Sequence, residues 1–241
     1  MRVQLSSLSF MANRKTQFVH FLCLPIINMI LFLFIHRQFT GGDVLNPVVA
    51  VTSVAVAAIT ISLSSVSQLL THDSMRGVDK IMVINRPYSP RYWGNKILTA
   101  MVVSWGLMAI NLGLLAIVGV DWVVISRIVL ASPALLVTGV LLGMLGFFLA
   151  WRESNPYFYT NLISAAIPII YGVIVSVSEY PPVFKVFSQI FPFYNVRDYL
   201  QTGQWEHLAI EGIKLVVLII VTGLVYQLKH KKVVDKKGLL F

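Results

Sequence analysis

HDSMRGVDKIMVINRPYSPRYWGNK, residues 72–96, holds five basic and two acidic side chains and lies between two apolar runs, 44–70 and 97–120. Each run reaches the roughly 20 residues that a helix needs to cross a bilayer. The stretch therefore reads as a polar loop joining two transmembrane helices. The rest of the chain repeats the alternation, with further apolar stretches at 18–35, 123–151, 157–177 and 208–228. The expected fold is an all-α polytopic membrane protein of six spans, forming one transmembrane domain over residues 1–241.

Composition agrees. Hydrophobic residues make up 57% of the 241 and charged residues 12%, against about a quarter in soluble domains. Mean hydropathy is +0.78. A formal charge of +9 would suggest nucleic acid for a soluble protein; here it fits basic cytoplasmic loops and anionic head groups, with no nucleic acid as partner. The first span contains Pro25 and Asn28 and runs into His36-Arg37-Gln38 without a small-x-small cleavage site. It reads as a retained span rather than a removed signal. The fourth span contains Pro133, so a tilt or kink is expected there. The single cysteine, Cys23, excludes an intrachain disulfide and reads as a small buried hydrophobe.

Lys and Arg fall unevenly between the spans. With loops assigned alternately to two sides, 14 lie on the side of both termini and the 72–96 loop, and 5 on the other. The positive-inside rule makes the first side cytoplasmic. Ahead of the first span, Val3, Leu5, Leu8 and Met11 share a helical face, so residues 1–17 read as an interfacial helix, with a disordered tail as the alternative.

Catalytic signatures are missing: the sequence has no GxxxxGK[ST], HExxH, GxSxG or paired-cysteine box. No metal site and no catalytic residues are expected. The spans also lack the mid-membrane charges of ion-coupled carriers. They offer small polar residues instead. Ser53, Thr60, Ser64 and Ser67 share one face of the second span and, with Asn28 of the first, form a candidate substrate pathway. Gly139, Gly143 and Gly146 form a stripe on the fourth span, readable as a translocation surface, a close helix seam or ordinary membrane packing.

Residues 178–207 are rich in aromatics. The stripe of Phe184, Phe187, Ile190, Phe191 and Tyr194 is broken by Pro192, which predicts a short helix, a break and a second short helix dipping into the outer leaflet. An aromatic interfacial belt is the plainer alternative. Phe184, Phe187, Phe191, Phe193 and Tyr194 are the candidate extracellular gate. Glu211 and Lys214, one turn apart, read as a solvated pair.

The 72–96 loop itself reads as an amphipathic helix and a turn. Asp73 or Thr71 would cap it, Val78, Ile81, Met82 and Ile84 would form its apolar side, and Arg76, Asp79 and Lys80 its polar side. Pro87 and Pro90 would end it, and Tyr92-Trp93 would anchor the next span at the head groups.

The order Asp73, Gly77, Pro87, Lys96, running straight into an apolar span, resembles the cytoplasmic loop of ABC type-2 permeases, the membrane subunits of ATP-binding-cassette exporters. The segment from Phe191 through Pro192, Phe193, Tyr194 and Asn195 to Tyr199 is similar to the family's proline-aromatic stretch before its last span. Asp73 departs from the commoner glutamate. The resemblance covers nearly the whole chain and implies a coupling helix, made by Asp73, Ser74, Met75, Arg76, Gly77, Val78, Asp79 and Lys80, that docks a separate cytoplasmic ATPase subunit. It further implies a second permease subunit, identical or homologous, in the bacterial plasma membrane. ATP and Mg would be bound by the partner, leaving this chain without a cofactor of its own and without enzymatic activity. The chain is similar in this respect to bacterial peptide exporters, among them those for phenol-soluble modulins; an uncharged pathway suits a hydrophobic or amphipathic substrate such as a peptide, toxin or drug. A non-transport membrane scaffold or sensor and a secondary carrier remain as alternatives.

Overall fold

The computed structural model describes residues 2–40, 46–151, 153–173 and 177–238, and side chains there except at residues 2, 3, 40, 80, 83, 84, 178 and 232–238. The protein is all helical among these residues. A short helix α1 (Arg2–Ser6) and a 3-10 turn lead to α2 (Arg14–Phe18), which Asn13 caps by accepting from Thr16 N in a reciprocal capping box. One π turn, Val19–Cys23, carries α2 into α3 (Leu24–Thr40). Then come α4 (Pro47–Met75), α5 (Val78–Asn85), α6 (Pro90–Ile117) and α7 (Trp122–Leu149). The chain ends with α8 (Phe158–Ile170), α9 (Pro182–Ile190), α10 (Tyr194–Thr202) and α11 (Trp205–Gly238).

Among the described residues, five helices are long and apolar enough to cross a membrane: Arg14–Phe39, Pro47–Met75, Pro90–Ile117, Trp122–Leu149 and Trp205–Lys231. The six apolar runs of the sequence thus yield five span-length helices and one shorter one. The run at 157–177 becomes the 13-residue α8, which stops at Tyr171 because Gly172 follows at φ 68° and turns the chain. Residues 174–176 of that run, and 44–45 of the second, lie outside the described residues. Pro90 starts α6 rather than ending the preceding helix: it occupies the first turn behind the Ser89 cap, where a missing N–H costs nothing.

α4 is the axis of the bundle, with α7, α6, α3 and α8 around it. Its contact with α7 is the tightest. A Cβ at Gly139 would lie 2.7 Å from Ile59 O, and one at Gly143 2.4 Å from Leu63 O. Ser62 Oγ donates across the same seam to Leu136 O at 2.9 Å. Gly146 extends the stripe against Thr160 of α8. The glycine stripe is therefore a close helix seam. Pro133 is accommodated inside α7. The carbonyl it leaves without an N–H partner, Val129 O, accepts from Ser132 Oγ at 2.7 Å.

The bundle has two distinct ends. At one, α5 meets the start of α6 and the last turns of α4, α7 and α11, tied by Lys96–Asp73, Trp151–Asp79 and Tyr226–Pro87 contacts. The N-terminal segment leans on this half, through Gln4 with Thr99 and Ser9 with Gln68. At the other end, α10 sits across the beginnings of α7 and α11. α3 and α11 present broad apolar faces outward, including Ile27, Ile30, Phe34, Ile213, Val217 and Ile220, as helices in lipid do.

Candidate functional site

At the α5 end, Gly77 decides the geometry. It adopts φ 72°, ends α4 as the residue after its cap and starts α5. Only glycine takes that conformation freely. The turn lays α5 beside the end of the bundle and points Asp79 inward. Asp79 is 6% exposed, and its Oδ2 accepts from Trp151 Nε1 at 3.0 Å and Ser74 Oγ at 3.1 Å. Its place in the first turn of α5 also suits the helix dipole.

Asp73 is committed inward as well. It lies in the last turn of α4, where a negative charge opposes the dipole, so it needs a counterion. Lys96 Nζ supplies one at 2.7 Å and Tyr92 OH donates to it at 2.8 Å. Lys96, 3% exposed, also donates to Leu69 O. The expectation that Asp73 or Thr71 caps the loop helix is thereby corrected: α4 runs straight through both, and Gly77 begins α5.

The outward side of this end exposes apolar residues. Ile81 of α5 is 61% exposed with Val78 beside it, flanked by Met75 at the end of α4 (74%), Tyr88 of the following turn (62%) and the cationic Arg76. The predicted polarity of this helix is therefore reversed at Asp79, an acid turned inward, and at Ile81, an apolar residue turned out. Lys80 and Ile84 belong to α5, with side chains outside those described.

The end is braced by aromatic residues: Trp93, expected at the head groups, turns to the bundle, and Trp151 and Tyr226 had no role assigned from the sequence. Pro87 O accepts from both Trp93 Nε1 at 2.9 Å and Tyr226 OH at 2.6 Å. Trp151 lies parallel to Tyr226 at 6.3 Å, and Lys229 donates to Leu149 O. The loop after α5 is thus fastened to α6 and α11 at once. Aromatics at the ends of three apolar runs were the available signal.

Between α3, α4 and α8 lies a cavity of about 420 Å³. Asn28, Ser53, Thr60 and Ser64 all line it, joined by His20 and Ser164. Four of the five predicted pathway residues therefore meet in one place. Ser67 does not: it is fully buried and shares a 2.9 Å hydrogen bond with Thr160. No Asp, Glu, Lys or Arg lines the cavity. Phe10 of the N-terminal segment also lines it, 5.6 Å from the His20 ring.

At the α10 end, the predicted helix–break–helix is present, with the break at Phe191-Pro192-Phe193. The five candidate gate residues are divided between two surroundings. Phe184 and Phe187 are 61% and 50% exposed on α9, whereas Phe193 is 1% exposed and stacks on Tyr171 at 5.2 Å. Phe191 bridges the groups, 5.0 Å from Phe187 and 6.4 Å from Phe193. Tyr194 lies under Lys214, 5.5 Å from its ammonium.

Glu211 is buried, correcting the solvated pair read from the sequence. Its carboxylate accepts from the backbone N–H of Phe193 and, at 2.7 Å, of Asn195, and is 3.3 Å from Lys214. It therefore caps α10 from another helix. At the opposite end of α10, Arg127 of α7 donates to Leu200 O at 2.8 Å and Gln201 O at 3.1 Å. An acid at the N-terminus and a cation at the C-terminus both complement the helix dipole. Arg197 donates to Gly172 O, binding α10 to the end of α8. Tyr180 OH donates to Ile169 O at 2.7 Å; partial burial pushes its pKa up, against the opposing charge of Arg197, so it stays a neutral donor.

Among the described residues, no three His, Cys, Asp or Glu side chains converge as metal ligands would. No family model matches the chain, and neither curated proteins nor solved structures give a match.

Proposed function

We propose that the chain is the membrane subunit of an ATP-driven exporter for a hydrophobic or amphipathic substrate, coupled through α5 to a separate cytoplasmic ATPase. The observation that carries this reading is the inside-out build of α5. Its acid is spent on Trp151 within the bundle, while its own Val78 and Ile81, with Met75 at the end of α4, are left uncovered at the end richest in Lys and Arg. Exposed apolar patches on an otherwise polar end mark interaction surfaces. The resemblance of the 72–96 loop and of the 191–199 segment to ABC type-2 permeases supports the same reading.

In this mechanism two such subunits, identical or homologous, pair in the bacterial plasma membrane with six spans each, α8 serving as the fifth. ATP binding draws the ATPase subunits together. Each docked α5 then moves as one piece with α7 and α11, to which Asp79 and Pro87 fasten it. The uncharged cavity at Asn28, Ser53, Thr60 and Ser64 receives the substrate without a charge to desolvate. The α9–α10 segment closes the outer side.

Met75→Asp with Ile81→Asp tests this directly, because both side chains point away from the bundle. The double variant keeps its thermal transition within about 0.5 kcal/mol of wild type, as surface changes do. It loses co-purification with the ATPase and substrate-stimulated ATP hydrolysis in reconstituted vesicles. Unchanged stimulation would remove α5 as the coupling element. Partner binding without ATP-dependent transport would favour a scaffold or sensor. Transport that persists without ATP and collapses with an ion gradient would favour a secondary carrier.

A further inference from the structure

A second crevice, of about 350 Å³, lies on the outer surface between residues 11–22 and α6. Met11, Phe18, Phe21, Leu22 and Ile110 wall it, and Arg14 stands at its edge. Its volume is at the small end of ligand pockets, roughly 300–1,000 Å³, a size for one chain rather than a whole lipid. The order of side chains along the helix is informative. Arg14 and Phe18 are one turn apart on one face, and Leu22 continues the line, about 12 Å from Arg14 along the axis. A cation is thus followed by an apolar ridge, as a lipid's phosphate is followed by its acyl chain.

Charge narrows the ligand. Arg14, which lines the crevice, and its neighbour Lys15, which lies beside it in sequence, are both exposed. The ion pairs Lys96–Asp73 and Lys214–Glu211 involve neither of these cations. The first acid of the sequence is Asp43, far along the chain. The neutral polar residue of the lining, Gln17, is already engaged, its Nε2 donating to Met11 O at 3.1 Å. The cavity between α3, α4 and α8 has the opposite character, with neutral polar groups and no cation.

We propose that this crevice is a binding site for a single anionic glycerophospholipid, its phosphate on Arg14 and Lys15 and one acyl chain along Phe18, Leu22 and Ile110. Occupancy would fix the N-terminal segment against α6 and α4, where Leu8 and Phe10 already cluster with Val103 and Leu69. The site does not depend on the transport reading.

Native mass spectrometry of the full chain, released from mixed phosphatidylglycerol and phosphatidylcholine nanodiscs, tests it. One phosphatidylglycerol is retained in preference to phosphatidylcholine by about tenfold or more, the gain expected from two cations facing an anionic head group. Arg14→Gln with Lys15→Gln removes the preference, and Arg14→Lys restores most of it to wild-type Lys15 protein. Ile110→Trp fills the crevice while keeping both cations, and it too loses the retained lipid. Equal retention of the two lipids would overturn the proposal, as would full retention in the double-Gln variant. Retention unaffected by Ile110→Trp, or displacement of the lipid by inorganic phosphate alone, would overturn the chain-binding half and with it the site as stated. Melting curves of each variant separate loss of lipid from loss of fold.

Discussion

Phe193 is the one non-glycine residue among those described with positive φ, at 81°. A bulky side chain in that region costs about 1–3 kcal/mol and persists only where its surroundings hold it. Here the ring is stacked on Tyr171 and the N–H is taken by Glu211, so two independent contacts fix the break between α9 and α10. Replacing Glu211 with Gln removes the charge while keeping the shape. The loss of a buried charge-assisted cap should cost about 1–3 kcal/mol, and amide exchange at 193–197 should accelerate relative to α4 and α7. Exchange unchanged in that segment would show that the Tyr171 stack alone holds the break. The sequence could not reveal this role. Helical spacing pairs Glu211 with Lys214 on its own helix, whereas its main partners are backbone N–H groups delivered by a separate segment. A side chain's neighbours across the fold have no signature in local periodicity.

Elements were more legible than faces. Pro192 inside an aromatic stripe was enough to anticipate α9, the break and α10, because proline and periodicity act locally. The same holds in part for α5: a run of apolar residues ahead of Pro87 anticipates the helix, but the sequence pattern favours a cap at Asp73 or Thr71 and misses its start at Gly77. Its orientation did not follow, since the acid Asp79 is drawn inward by Trp151, some seventy positions along the chain. The glycine stripe on α7 had three readings from spacing alone, and only the approach of α4 decides among them. That seam makes a sharp prediction. Gly143→Val places carbon within 2.4 Å of Leu63 O and 2.5 Å of Val66 Cγ1, contacts that require the helices to separate. Overpacking of this kind costs about 1–3 kcal/mol or more. Gly113→Ala on α6 meets nothing within 4 Å and should leave the melting temperature unchanged or raise it slightly, by up to about 1 kcal/mol of helix propensity. Equal melting curves for the two variants would remove close backbone approach as the reason for glycine at position 143.

For the whole molecule, parity links the short helix α8 to orientation. Five passes would leave the N-terminal segment and the end of α11 at opposite ends of the bundle. They lie toward the same end, Ser9 against Gln68 and Lys229 against Leu149. α8 lies where a sixth pass would run, from Thr160 beside Ser67 towards Gly172 beside Arg197. Its 13 helical residues span only about 20 Å, less than the roughly 30 Å of a hydrocarbon core. Hydropathy scored this as an ordinary span because it counts apolar residues and cannot see the turn at Gly172. Single cysteines in a Cys23→Ser background test the arrangement in cells. A membrane-impermeant thiol reagent should label Val183→Cys on α9 in intact cells, and Met75→Cys and Lys231→Cys only after permeabilisation. If α8 stays on the inner side, the pattern changes in a defined way: Val183→Cys becomes protected and Lys231→Cys accessible from outside. Labelling of Met75→Cys in intact cells would instead invert the molecule, placing the Lys- and Arg-rich end outside and removing α5 from reach of any cytoplasmic ATPase.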